Sequence, residues 1–231
     1  MRGLYALKPW YTERLARFVV LADRRAISPD AFTVVGVVGA AGAGLALWQG
    51  WWAVAGLLLA VRLAGANLDG AVARARGVSR PWGFVLNEIG DRVGDLLMLA
   101  GLVALAHRTA DPDERLLVVG AVLVAALAAN LPTLASLAAA GAGAQRRNGG
   151  PLGKTERCAL AIVACAVPGW LVAISALIVL GSVVTAGLRL RATAAELREA
   201  AAAVEPGRTV LPAEPRTPAD LRTTVASDAD R

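Results

Sequence analysis

The chain has 231 residues, 56% of them hydrophobic, with a mean hydropathy of +0.55, a formal net charge of +6 and a pI of about 10.3. An ordinary soluble domain is about 45–50% apolar, and the excess here lies in long runs of Ala, Leu, Val and Gly, which excludes a soluble bundle of short amphipathic helices. The basic residues sit in the loops between those runs, so membrane topology accounts for them and nucleic-acid binding does not.

Residues 1–30 are basic, are broken by Pro9 and Pro29, and hold no apolar stretch of the kind a cleavable signal peptide needs. They predict an amphipathic segment lying on the membrane, with Trp10 and Tyr11 at the interface and Arg14, Arg17, Arg24 and Arg25 facing water or headgroups. Six apolar stretches follow, at roughly 31–50, 52–72, 83–106, 115–142, 156–168 and 170–190. A helix needs about 20 mostly apolar residues to cross the bilayer, so the short fifth stretch predicts a tilted or partial span. Backbone polar groups in lipid must pair internally, and no strand-like alternation is present. The expected fold is therefore an all-α integral membrane protein, a six-transmembrane-helix bundle. From about 196 onward, Glu205-Pro206-Gly207, Glu214-Pro215 and many charged or small residues predict a disordered cytoplasmic tail. The expected organisation is an interfacial segment at 1–30, a transmembrane domain at 31–195 and a tail at 196–231.

Charge fixes the expected orientation. Arg2, Lys8, Arg14, Arg17, Arg24 and Arg25 precede the first span, and Arg74, Arg76 and Arg80 follow the second. Arg146, Arg147, Lys154 and Arg157 lie between the fourth and fifth, and Arg189 and Arg191 close the sixth. The opposite side has Arg108 and Arg115, diluted by Asp111, Asp113 and Glu114. Both termini are thus expected on the cytoplasmic side of the cell membrane, with Trp48, Trp51 and Trp52 at the outer interface.

Charged side chains inside membrane helices are rare and usually functional. Asp69 and Gly70 end the second span, with Ala73 and Arg74 just beyond. The third span opens at Gly83 and carries Asn87, Glu88, Asp91, Arg92 and Asp95. Asn87, Asp91 and Asp95 fall at i, i+4 and i+8 and line one helix face. Asp69 lies where its helix ends and the next begins, so both groups share a membrane depth. Two carboxylate-bearing helices converging there suit a hard divalent cation such as Mg²⁺. Gly36, Gly39, Gly42 and Gly44 are spaced for close helix contact. Arg62, inside the second span, needs a partner, and a carboxylate of the site is the expected one. Cys158 and Cys165 lack metal-site spacing and read as small packed residues. His107 sits at the outer end of its helix, away from this chemistry.

The run Asp69-Gly70-Ala71-Val72-Ala73-Arg74, then eight residues, then Gly83-x3-Asn87-x3-Asp91 resembles the signature of the CDP-alcohol phosphatidyltransferases, D-x2-D-G-x2-A-R-x8-G-x3-D-x3-D. Upstream, Ile27-Ser28-Pro29-Asp30-Ala31-Phe32-Thr33 resembles the family's Ser/Thr-Pro-Asn-x-x-Thr segment, with Asp30 in place of Asn. The resemblance covers about residues 27–190. It departs at two acidic positions: the first Asp of the signature is Ala66 and the third is Asn87. The second and fourth are kept as Asp69 and Asp91. In the family the four carboxylates bind two divalent metals and the last is the proposed general base.

The resemblance implies a membrane phosphotransferase of phospholipid biosynthesis. A CDP-diacylglycerol-like donor gives its phosphatidyl group to a small alcohol, and CMP leaves. The implied cofactor is Mg²⁺ or Mn²⁺, held by Asp69, Asn87, Asp91 and Asp95, with Asp95 the better of three substitutes over Asn67 and Glu88. Asp91 is the implied catalytic base. Asp69, Gly70, Ala73, Arg74 and Gly83 form the implied nucleotide site. The basic, Gly-rich loop with Arg146, Arg147, Lys154 and Arg157 is a candidate site for a phosphorylated acceptor, although positive-inside topology also explains it. The family implies a homodimer. A non-catalytic relative that binds nucleotide or lipid is the alternative suggested by the two lost carboxylates, and an ion-coupled carrier is a third reading of the intramembrane Asp residues.

Overall fold

A computed structural model describes residues 8–203 of the chain. Eight α-helices follow one another: α1 (Lys8–Arg24), α2 (Pro29–Gln49), α3 (Trp52–Ala75), α4 (Pro81–Thr109), α5 (Arg115–Ala128), α6 (Leu131–Gly141), α7 (Lys154–Ala166) and α8 (Leu171–Ala203). A short 3-10 turn, Pro168–Trp170, joins the last two. No strand occurs among the described residues.

Four stretches are long and apolar enough to cross a membrane: Pro29–Gln49, Trp52–Ala75, Arg115–Gly141 and Pro168–Ala202. Their outward faces are apolar. Val34, Val38, Leu45, Leu57, Leu116, Leu127, Leu177 and Leu180 are all more than half exposed, which suits a lipid surround and not water. The protein is therefore a multi-pass membrane protein. Helix α4 has 29 residues, ample length, but its Glu88, Asp91, Arg92 and Asp95 set it apart from these four. Helix α7 has 13 residues, or about 20 Å, short of the ~30 Å hydrocarbon core.

Local sequence explains the ends. Ser28 caps α2, its Oγ accepting the Ala31 N–H at 3.3 Å, and Pro29 occupies the first turn. Gly50, at φ +80°, ends α2 in the left-handed region and turns the chain into α3 within two residues. The stretch expected as one span at 115–142 is two helices. The break falls at Ala129 and Asn130, just before Pro132, which has no N–H to give. There the Asn130 N–H turns to the Leu127 carbonyl, and the Asn130 side-chain amide takes the freed Ala126 carbonyl at 3.0 Å. Helix α8 runs helical to Ala203, past residue 196, where the sequence predicts the tail. The rest of that tail, 204–231, lies outside the described residues.

In α1, Leu15 and Ala22 are buried while Arg14, Arg17 and Arg24, and Arg25 just after it, are exposed. The side chains of Trp10 and Tyr11 lie outside the described residues. Arg76, just after α3, holds the end of α1: it donates to the Ala22 carbonyl, to the Ile27 carbonyl at 2.9 Å, and to Asp23 at 3.0 Å.

Helix α2 is the hub, packed on both α3 and α4. Its small residues let backbones touch, as membrane helices without a hydrophobic drive to associate require. A Cβ on Gly65 of α3 would lie 2.8 Å from the Gly36 nitrogen. Gly39 faces the Leu58 carbonyl of α3, and Gly42 the Leu58 side chain. Gly44 meets Gly101 and the Leu97 carbonyl of α4 so closely that neither glycine has room for a side chain. Around these crossings lies a core that includes Leu47, Leu59, Met98, Leu102, Leu105 and the free, buried Cys158 and Cys165.

Gly101→Val drives a branched side chain into the Gly44 backbone. It is expected to cost about 1–3 kcal/mol and to lower the thermal unfolding midpoint in detergent. Gly120→Val, at a position with open space around it, is the control and leaves the midpoint near that of the parent.

Candidate active site

At one end of α2, α3 and α4 lies an open cavity of about 910 Å³, within the size range of small-molecule sites. The first turns of α2 supply Asp30 and Thr33. The last turns of α3 supply Ala66, Asn67, Asp69, Gly70, Ala73 and Arg74. The first half of α4 supplies Gly83, Phe84, Asn87, Glu88, Asp91 and Arg92. Arg146, Asn148, Lys154, Glu156, Arg157 and Arg189 close the far side. Seven cationic side chains (Arg74, Arg80, Arg92, Arg146, Lys154, Arg157, Arg189) face five carboxylates (Asp30, Asp69, Glu88, Asp91, Glu156) across this space. The excess is positive, which favours an anionic ligand.

Asp69 is nearly buried, 5% exposed. Its Oδ2 accepts the Thr33 hydroxyl at 3.0 Å and its Oδ1 the Gly70 N–H at 2.5 Å, so both oxygens are held. The Arg74 guanidinium folds back over Gly70, where a Cβ would stand 3.0 Å from its Nη1. A second, much smaller void of about 10 Å³ is bordered by Thr33, Arg62, Ala66, Asp69, Asn87 and Asp91. It has about the room that one water needs. Asn67 turns away, its amide donating to the Leu63 carbonyl of its own helix at 2.7 Å.

Asp91 receives the Lys154 ammonium on both oxygens, at 2.5 and 2.6 Å. One turn further along α4, Asp95 is 1% exposed and does not line the cavity. Arg62 Nη2 lies 2.6 Å from its Oδ1, while Arg157 Nη2 and Arg92 Nη1 lie 2.7 and 3.1 Å from its Oδ2. Arg62 also donates to the Asp91 carbonyl at 3.3 Å and to Cys158 Sγ at 3.1 Å. Arg62 thus has the carboxylate partner its burial demands, and that carboxylate is Asp95. Three guanidinium groups already saturate Asp95, which makes it a structural counterion and a poor metal ligand.

The basic loop is equally engaged. Arg146 pairs with Glu88 and lies 4.9 Å from the centroid of the Phe84 ring. Arg147 is not among the cavity-lining residues; its carbonyl accepts the Ser136 hydroxyl at 2.6 Å. Arg157 reaches the cavity wall but spends its charge on Asp95. The upstream segment shows no role for Thr33, and Arg189 and Arg80 read from the sequence as topology alone. Arg189 donates to the Pro132 carbonyl at 2.6 Å, the Ser136 hydroxyl at 2.8 Å and the Gly149 carbonyl at 2.8 Å, pinning the loop to α8. Arg80 pairs with Asp30 across the mouth of the cavity. Neither pairing has a spacing signal, because the partners are 40 to 57 residues apart.

A multi-pass helical protein with an electropositive cavity built on a D-G-x2-A-R segment is thereby defined. The chain belongs to the CDP-alcohol phosphatidyltransferase family, whose model matches residues 26–209. Its fold is that of phosphatidylinositol phosphate synthase from Mycobacterium tuberculosis. The structure of that enzyme with CDP-DAG bound is 23% identical, covers 77% of this chain and 92% of its own, and superposes with a TM-score of 0.63. Its complex with manganese and citrate is 24% identical, covers 77% and 87%, and gives 0.64. No curated protein sequence matches the chain.

Asp95→Asn removes the carboxylate that balances two buried guanidinium groups, Arg62 and Arg157, and the partly exposed Arg92. Breaking such a cluster costs about 3–5 kcal/mol. The expected outcome is a large drop in thermal stability in detergent, whereas Asp30→Asn, on the exposed pair with Arg80, changes stability by less than about 1 kcal/mol.

Proposed function

We propose that this protein transfers a phosphatidyl or similarly substituted phosphate group from a CDP-lipid to a small alcohol, releasing CMP. The observation that carries the reading is the convergence of Asp69, Gly70, Ala73, Arg74, Gly83 and Asp91 on one cavity with excess positive charge. The family membership and the CDP-DAG complex of the mycobacterial synthase support the donor.

In this reading Gly70 and Ala73 leave room for the nucleotide beside α3, and Arg74 neutralises phosphate. The acceptor oxygen forms a new bond to the lipid-bearing phosphorus as the bond from that phosphorus to the CMP oxygen breaks. Asp91 accepts the hydroxyl proton, and CMP departs with the bond electrons. Lys154, now on Asp91, is placed to meet the incoming anion. Arg146 and Arg189 border the acceptor end, and a phosphorylated alcohol suits them; Arg147 lies off the cavity wall.

The family implies divalent metals, and the residues present test this. Among the described residues no three His, Cys, Asp or Glu side chains form a metal-binding group. Asp69, Asn87 and Asp91 are the oxygen donors that would hold a Mg²⁺ or Mn²⁺, but the Arg62 guanidinium borders the same small void and Lys154 sits on both Asp91 oxygens. Such an ion supplies charge stabilisation to the phosphoryl oxygens and the leaving group.

The same reading includes six membrane segments, with α4 and α7 joining the four apolar stretches. It puts the cavity and both termini on the cytoplasmic side and the protein in a homodimer. Ala66, Asn87 and the Lys154–Asp91 pair favour one alternative, a non-catalytic relative that binds CDP-lipid.

Purified protein with Mg²⁺ or Mn²⁺, CDP-diacylglycerol and a panel of alcohols is expected to release CMP, and the stimulating alcohol names the acceptor. Asp69→Ala abolishes the release, and Asp91→Asn lowers turnover by about 10²–10⁴ while the helical circular dichroism is retained. CDP-lipid binding without CMP release by folded protein would establish the non-catalytic alternative.

A further inference from the structure

Resting on the reading of this cavity as the site of a CDP-lipid, we infer that the diphosphate is bound by side-chain cations alone, with no divalent metal between it and the protein. The oxygen donors at the signature positions are few and already engaged. Ala66 has no donor, and Asn87 brings an oxygen but no charge. Asp69 accepts the Thr33 hydroxyl on one oxygen and the Gly70 N–H on the other. Asp91 carries the Lys154 ammonium on both, at 2.5 and 2.6 Å. Asp95 is taken by Arg62, Arg92 and Arg157 and does not line the cavity.

Cations stand among these donors. Arg62 borders the small void that Asp69, Asn87 and Asp91 share. Its guanidinium is held in place, 2% exposed, tied to Asp95 at 2.6 Å, to Cys158 Sγ at 3.1 Å and to the Asp91 carbonyl at 3.3 Å. It also lies against Gly94 of α4, where a Cβ would stand 2.7 Å from its Nε. A metal at about 2.1 Å from an Asp91 oxygen would stand within about 4.7 Å of the Lys154 Nζ while that oxygen keeps the ammonium. Repulsion at that range is strong in a site partly cut off from water. It acts on any ion that uses Asp91, and Asp69 is the one carboxylate left to offset it. Mg²⁺ gives up its own water reluctantly and asks for near-octahedral oxygen geometry, which this lining does not offer.

The same cations suit a diphosphate directly. Lys154 presents an ammonium to phosphoryl oxygens as a point charge, and Arg74 presents a planar fork. Arg74 lines the cavity, and among the described residues no carboxylate pairs with it. The two stand on α7 and α3, on the walls of one cavity, so the protein itself neutralises a doubly charged group placed there.

The test compares buffers. Binding of radiolabelled CDP-diacylglycerol to the purified full-length chain in mixed micelles is measured in EDTA and in Mg²⁺. The two Kd values are expected to agree within about threefold; a larger gain with Mg²⁺ overturns the inference and leaves the CDP-lipid reading standing. In EDTA, Lys154→Met is expected to weaken binding at least about tenfold and Lys154→Arg to keep it within about threefold. Unchanged affinity in folded Lys154→Met overturns the inference. Without lipid, electron paramagnetic resonance is expected to show no Mn²⁺ site that depends on Asp69; Mn²⁺ bound by the parent and lost in Asp69→Asn overturns it as well. No lipid binding in either buffer overturns the inference together with the reading of the cavity. Lipid bound in EDTA without CMP release supports the inference and sinks the transferase reading alone.

Discussion

Asp95 holds guanidinium groups from three helices, Arg62 of α3, Arg92 of α4 and Arg157 of α7, inside a protein built for lipid. Neither Asp95 nor the buried Arg62 and Arg157 can be removed singly without stranding charge in a low-dielectric interior, whereas Arg92 is 25% exposed. The geometry of the cavity follows from this cluster. Asp91 and Asp95 lie one turn apart on α4, and Lys154 and Arg157 lie one turn apart on α7. The two ion pairs Asp91–Lys154 and Asp95–Arg157 are successive rungs between the same two helices. The buried lower rung sets the height and rotation of α7, and so delivers Lys154 to the half-buried upper rung, on the cavity wall.

The bundle around that cluster is held by close backbone approach and not by large side chains. Lipid offers no hydrophobic drive for helix association, so contact area must come from van der Waals packing. Gly36 against Gly65 and Gly44 against Gly101 bring α2 onto α3 and α4 at points about two turns apart on one helix. This keeps Thr33, three residues before Gly36, beside Asp69, where its hydroxyl orients the carboxylate. The same interlock leaves the large aliphatic residues free to face outward, as Leu57, Leu116 and Leu127 do.

At the cavity, two acidic positions of the family signature are Ala66 and Asn87, and cationic side chains outnumber carboxylates. Here Ala66 and Asn87 remove negative charge, and the cavity wall is already net positive through arginine and lysine. Fixed side-chain cations orient a polyanion as metals do, but they remain attached to the helices that position them. The loop from Arg146 to Lys154 shows the same economy. Arg146 is tied to Glu88, and Arg189 is tied to loop and α6 carbonyls, so the charges that meet a ligand are few and pre-aligned.

Composition and periodicity alone determined that the chain is a helical membrane protein, and one extended spacing pattern determined its family. Those signals are local: long apolar runs, loop charge, and residues within 23 positions of one another from Asp69 to Asp91. The glycine contacts of α2 were equally legible, because small residues at helical spacing have few other uses in lipid. The sequence could not show which side chains neutralise one another. Asp95 fell on the same helical face as Asp91 and so looked like a ligand, but Arg157, 62 residues away, and Arg62, 33 residues away, claim it. Lys154 looked like part of a phosphate-binding loop, but the docking of α7 on α4 puts it on Asp91, 63 residues away. Charge pairing acts through space over a few ångströms. It depends on helix crossings that no spacing along the chain encodes, and for that reason only the tertiary structure decided it.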